Sequence, residues 1–121
     1  MIKICISKDY SETLGARYRS EGEYSGEDFR DGFLENMFLS ALENRQQIEI
    51  NLDGGYGNPV SFLEEAFGGL ARKYGTEKVL SVLCFVSNDE PGQVDEVLSY
   101  IKNPLDNQVY KNAQRRRLNG N

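Results

Sequence analysis

Histidine and tryptophan are absent from these 121 residues, and cysteine (two), methionine (two) and proline (three) are scarce. Histidine has the ordinary pKa nearest neutrality and is the commonest transition-metal ligand. Its absence excludes Ser-His-Asp triads, Cys-His dyads and His-containing zinc sites. An enzyme would have to work with carboxylates, lysine, tyrosine or a cofactor, and no complete set of that kind is present. The expectation is a non-enzymatic protein with no cofactor and no metal. Cys5 and Cys84 each lie in an apolar run, which suits small buried thiols better than a disulfide or a ligand pair. No apolar run approaches the roughly 18–20 residues that span a bilayer, and Met1-Ile2-Lys3-Ile4 lacks a signal-peptide core, so a cytoplasmic protein with no membrane contact is expected. Positive charge is also in deficit: 14 Lys and Arg face 19 Asp and Glu, a net −5 that argues against general nucleic-acid binding. The local exception is Lys111 with Arg115-Arg116-Arg117.

With 39% hydrophobic and 27% charged residues, the composition is that of one folded domain. The expected domain covers residues 1–105, followed by a polar, basic tail at 106–121. Ile2, Ile4 and Ile6 alternate with Lys3, Cys5 and Ser7, the period of a strand. Residues 8–24 show no period, and turns with a short helical turn near Ser11 to Leu14 are expected. Ser25 precedes Asp28 by three, and Phe29, Phe33, Met37 and Ala41 recur on one helical face, predicting an amphipathic helix that ends near Arg45. Gln47 to Leu52 alternates as a second strand. A second helix is expected from Ser61, with Gly75 placed to stop it. Val79 to Val86 is almost wholly apolar and predicts a strand at the centre of the sheet, buried on both faces. Asp89-Glu90-Pro91 opens a third helix, ended by Asn103-Pro104. The alternation predicts an α/β fold, a small single-layer sheet with crossover helices, and sites in such sheets lie beyond the carboxyl ends of the strands.

Asp53-Gly54-Gly55-Tyr56-Gly57-Asn58-Pro59 holds such a place, because three glycines, an Asp, an Asn and a Pro in seven residues cannot sustain a periodic element. A loop leading into a helix start can hold a phosphate or carboxylate. Here the Gly-Lys-Ser/Thr of a P-loop and the G-x-G-x-x-G order are both missing, and Glu64 and Glu65 in the first turn would repel an anion. Ser61 with Glu64 fits a capping box. Gly68 and Gly69 each cost about 1 kcal/mol against Ala in a helix, which implies close packing by the sheet or by a partner. Arg17 and Arg30 suit bidentate binding of a carboxylate or phosphate, either Asp53 or a ligand, and Arg30 also suits a structural ion pair.

The block Ser61-Phe62-Leu63-Glu64-Glu65-Ala66-Phe67-Gly68-Gly69-Leu70, with Asp53, Gly15-Ala16-Arg17 and Ser25-Gly26-Glu27-Asp28-Phe29-Arg30 before it, resembles a bacterial and phage family of STAS-like domains of unknown function. The resemblance runs from about Ile2 to Ile101. It implies a STAS-like fold related in pattern to the anti-sigma-factor antagonists, which bind a kinase-like protein and switch by phosphorylation of a serine in Asp-Ser-Ser-Gly at the start of the corresponding helix. Phosphorylation there acts by adding charge at an interface. If Phe62-Leu63-Glu64 is laid on the family's Phe-Met-Asp, Glu65 takes the acceptor position. It then either imitates a permanently charged state or serves an unrelated partner. Ser61 is the nearest hydroxyl.

The expected function is a regulatory protein-binding module acting through residues 53–70, with Asp53, Tyr56, Ser61, Phe62, Glu64, Glu65, Phe67 and Gly68 facing a protein partner such as a kinase-like ATPase. One alternative is a phage or mobile-element inhibitor of a host defence protein, an acidic domain covering a basic surface. Another is a receiver-like phosphoryl- or nucleotide-handling domain using Asp53, for which Lys8-Asp9 and Ser87-Asn88-Asp89 match poorly.

Overall fold

The structure, a computed structural model, describes residues 1–104 and Arg117. The expected tail at 106–121 therefore lies outside the described residues except for Arg117. Three parallel strands, β1 (Ile2–Cys5), β2 (Ile48–Asn51) and β3 (Leu83–Val86), lie in the order β1-β2-β3. A short helix α1 (Ile6–Asp9) follows β1, and a single 3₁₀ turn forms at Arg19–Glu21. Helix α2 runs over residues 26–43 and α3 over 60–74; α4 is Thr76–Val82 and α5 is Gly92–Lys102. Both strand-to-strand connections are helical crossovers, as parallel pairing requires. No helix among the described residues is long and apolar enough to cross a membrane.

Register explains the two faces of the sheet. Ile4, Ile50 and Phe85 are aligned neighbours, as are Ile2, Ile48 and Leu83, and Ile48 and Ile50 are fully buried. The alternate row, Lys3, Glu49 and Cys84, is partly or fully exposed. Cys5 and Cys84 are free and half-buried, not core thiols as expected.

The sheet centre is β2, which corrects the reading of Val79 to Val86 as a central strand. Val79 to Val82 complete α4, and only the last four residues of the run form β3, at an edge. A short apolar run is ambiguous between helix and strand. Gly75, at φ +96°, breaks α3 and lets α4 begin at once, burying Val79 and Val82 one turn apart. The helical turn expected near Ser11 forms earlier, at Ile6–Asp9. Ser25 caps α2 as expected, accepting the Asp28 N–H at 3.0 Å. Ser61 caps nothing. Pro59 stands at the N-cap of α3 and the helix starts at Val60; proline's fixed φ and missing N–H suit a helix start, so the chain turns helical before Ser61 is reached.

Helix α3 is the spine of the molecule. Every residue from Phe62 to Ala71 is buried, and its middle packs against both α2 and α5. Both α2 and α3 widen into π-helical turns, at Phe29–Leu34 and Glu64–Gly68, where they face one another. Gly26 permits the approach: a Cβ there would lie 2.5 Å from the Phe62 carbonyl oxygen.

Candidate functional site

Two groups of residues stand out, one inside the helical layer and one at the carboxyl end of the sheet. Inside, Glu64 and Glu65 would be destabilising alone, because a buried carboxylate loses its hydration. Three guanidinium groups compensate. Arg17, from the loop before α2, binds Glu64 and reaches Glu65 at 3.2 Å. Arg72, two turns along α3, binds Glu64 at 2.6 Å. Arg30, from α2, binds Glu65, donates to the Glu65 carbonyl at 3.1 Å and pairs with Asp31 at 2.8 Å. Burial raises the pKa of Glu64, but hydrogen bonds from Arg72 and Arg17 outweigh it and hold the carboxyl below its ordinary range. Burial likewise works against the Arg30 charge, and Asp31 and Glu65 overcome it, leaving Arg30 more firmly protonated.

This cluster accounts for the paired glycines. A Cβ on Gly68 would collide with the Glu64 carboxylate, and one on Gly69 with the Arg30 guanidinium. The close packing expected there is real, but its agents are these charged side chains, neither the sheet nor a partner. Arg17 and Arg30 clamp Glu64 and Glu65; neither ion pair involves Asp53. The expectation that Phe62, Glu64, Glu65, Phe67 and Gly68 face a partner is also corrected: all five are buried, with Phe62 and Phe67 in the aromatic core beside Phe29. Ser61 is half-buried at the edge of that core. Arg72 was not singled out in the sequence. The available signal was two acids inside an otherwise apolar helix, which require cations at helical spacing.

At the carboxyl end of the sheet, Asp53 holds two loops together. Its carboxylate accepts the Asn88 N–H at 2.8 Å, the Asp89 N–H at 2.9 Å and the Asn88 amide at 3.0 Å. The backbone N–H groups of Asp89 and Asn88 hold the Asp53 pKa below the ordinary aspartate value. Its carbonyl accepts the Ser7 hydroxyl at 3.0 Å. The Tyr56 N–H donates to the Glu12 carbonyl at 3.0 Å, and Asn58 Nδ2 donates to the Leu52 carbonyl at 2.7 Å. Gly54 and Gly55, at φ +87° and +67°, bring the backbone so close to Ser7 and Glu12 that a side chain would clash. The tip of this tethered loop is Tyr56, 84% exposed. Arg117 flanks it, donating to the Asn58 carbonyl and pairing with Glu96 at 2.8 Å. No group of three or more His, Cys, Asp or Glu suited to a metal ion occurs among the described residues.

A family model described as a STAS-like domain of unknown function matches residues 25–93, more than half of the chain. The chain belongs to this STAS-like family. Searches of curated proteins and of solved structures gave no match. The matched span takes in α2, β2, α3, α4 and β3, hence the Arg30–Glu65 pair, the paired glycines and the whole Asp53 loop. Arg17, which completes the buried cluster, precedes it. The STAS-like mixed α/β architecture expected from the sequence is the one observed, with a three-stranded parallel sheet.

Proposed function

We propose that this STAS-like domain is a non-enzymatic regulatory module that binds a protein partner through the loop from Asp53 to Pro59, with Tyr56 as the anchoring side chain. The observation that carries the reading is the 84% exposure of Tyr56 at the tip of a loop tied to α1, to Glu12 beyond it and to the β3–α5 turn. Exposed tyrosine on a pre-ordered loop is well suited to binding: it offers a large contact area while the loop has little conformational freedom left to lose. The recognition surface thus moves from the helix face at 61–68 to the loop tip at 53–59. A kinase-like ATPase is the partner class that the resemblance to anti-sigma-factor antagonists implies. The buried Glu65 does not serve as a phosphoserine mimic at an interface in this arrangement. Nor is a receiver-like role for Asp53 favoured, since its carboxylate already takes the N–H groups of Asn88 and Asp89.

The test is cross-linking of the chain in its native cell, identification of the partner, and titration of the two purified proteins. Tyr56→Ala is expected to weaken binding at least tenfold, while Leu39→Ala, an exposed apolar residue on α2, leaves it unchanged. Equal affinity for the parent and the Tyr56 variant would overturn the surface. Substrate turnover by the folded chain, lost on replacing Asp53, would overturn the non-enzymatic reading.

A further inference from the structure

Beside the Tyr56 loop, between it and the turn after β3, lies a cleft of about 150 Å³ lined by Gly54, Gly57, Asn58, Ser87, Asp89 and Gln93 among others. At the cleft two amides are almost fully buried: Asn58 is 8% exposed and Gln93 5%. They are joined by one bond, Asn58 Nδ2 to Gln93 Oε1 at 2.9 Å, and the other Asn58 donor bond goes to the Leu52 carbonyl. This leaves Asn58 Oδ1, an acceptor, and Gln93 Nε2, a donor, with no hydrogen bond to any described residue. Among the described residues no fully enclosed side-chain polar atom lacks a partner, so both atoms are reached by solvent, and both residues line the cleft. Held side by side by the Asn58–Gln93 bond, this free acceptor and free donor favour an occupant that donates at one point and accepts beside it.

We propose that this cleft binds a small planar ligand, uncharged or cationic, whose edge carries an N–H donor next to an acceptor, as in a carboxamide or a heteroaromatic base without phosphate. The size fits, because a cavity of about 150 Å³ accommodates one benzene-sized ring. Gly54, Gly55 and Gly57 all have positive φ, so the wall is backbone that larger residues would adopt only with strain, and a flat group can lie against it. Electrostatics sets the charge. Asp89 and Glu90 line the cleft and the Asp53 carboxylate sits beneath the Asn88–Asp89 turn, while Arg117, the cation placed beside Asn58, is already paired with Glu96, so a phosphate or carboxylate would be repelled. The inference makes no use of Tyr56 and stands whether or not a protein partner docks there.

Nicotinamide, nicotinate, cytosine and AMP are the probes, titrated into the full chain while backbone amide resonances are followed by NMR. Nicotinamide and cytosine are expected to shift the resonances of residues 54–58 and 87–93 saturably. Nicotinate has the same ring but lacks the amide donor and carries charge, and is expected to bind at least tenfold more weakly; AMP is expected to shift nothing in the cleft. Gln93→Met, which keeps the side-chain length and removes both the free donor and the acceptor that holds Asn58, is expected to lower nicotinamide affinity about tenfold. N-acetylglutamine methylamide tells the two sources of an amide apart: tighter binding than nicotinamide identifies a partner's glutamine side chain, weaker binding a free planar molecule. No saturable shift with nicotinamide or cytosine would overturn the proposal. So would nicotinate binding as well as nicotinamide, or an undiminished affinity in a folded Gln93→Met variant. The nicotinate comparison needs no variant.

Discussion

Gly69 leaves empty the volume that Arg30 fills. The Arg30 guanidinium passes over the α3 backbone at Gly69 to reach the Glu65 carboxylate, and a single methyl group on that Cα would collide with it. Two helices, one glycine and one buried ion pair therefore form a single unit. The usual rule for a glycine inside a helix is inverted here.

Replacing glycine by alanine in a helix ordinarily stabilises by about 1 kcal/mol. Gly69→Ala is expected to do the opposite. The added methyl group pushes the Arg30 guanidinium off its place over Glu65, which keeps Arg17 and Arg72 nearby, so the pair is weakened rather than removed and a net loss of about 1 kcal/mol follows. Denaturant unfolding measures it. Gly92→Ala, at the start of α5 with nothing within 4 Å of an added Cβ, is the control and is expected to be neutral or slightly stabilising.

Acid sensitivity follows from Glu64. Its carboxyl pKa in the folded chain lies below the ordinary 4.5, despite burial, because Arg72 and Arg17 hydrogen-bond the charged form. A depressed folded pKa contributes stability that is complete above the unfolded value and is lost as pH falls through the folded one. The parent should therefore lose stability on descending below about pH 4.5, and part of that slope should vanish in Glu64→Gln. Unfolding free energies measured from pH 7 to pH 3 test this; parallel curves for parent and variant would contradict it.

The loop tip and the core should respond oppositely to truncation. Tyr56→Ala removes an exposed ring and is expected to change stability by no more than about 0.5 kcal/mol. Phe62→Ala, only six residues on but fully buried against Phe29, is expected to cost about 3–5 kcal/mol. Thermal unfolding of the two variants side by side provides the comparison.

Asp53 is expected to act on the turn after β3. Asp53→Asn keeps the shape but weakens the charge-assisted bonds from the Asn88 and Asp89 N–H groups. Hydrogen exchange at those two amides should quicken by about tenfold or more, while exchange in β2 stays slow. Unchanged protection at Asn88 and Asp89 would show that the carboxylate is not what orders the turn.

Elements with strong local signals are legible in the sequence. The alternation at Ile2 to Ile6 and at Ile48 to Leu52, the Ser25 cap and the glycine-rich loop each state their structure in a few neighbouring residues. The run from Val79 to Val86 did not, because apolar residues without polar punctuation suit a buried strand and a buried helix end equally. Ser61 misled for a similar reason: its capping box with Glu64 is correct in pattern, but Pro59 began the helix first, and Glu64 was drawn to Arg17 and Arg72.

Local order along the chain was sufficient for an α/β domain with parallel strands, a tight loop after β2 and chemistry without histidine, since periodicity, turn residues and composition act over short distances. The strand order, the burial of Glu64 and Glu65, and the meeting of Asn58 with Gln93 were settled by packing alone. Each joins residues far apart in the chain, Arg17 to Glu64 or Asn58 to Gln93, and a charge or amide takes its role from whichever partner the folded chain brings within hydrogen-bonding distance.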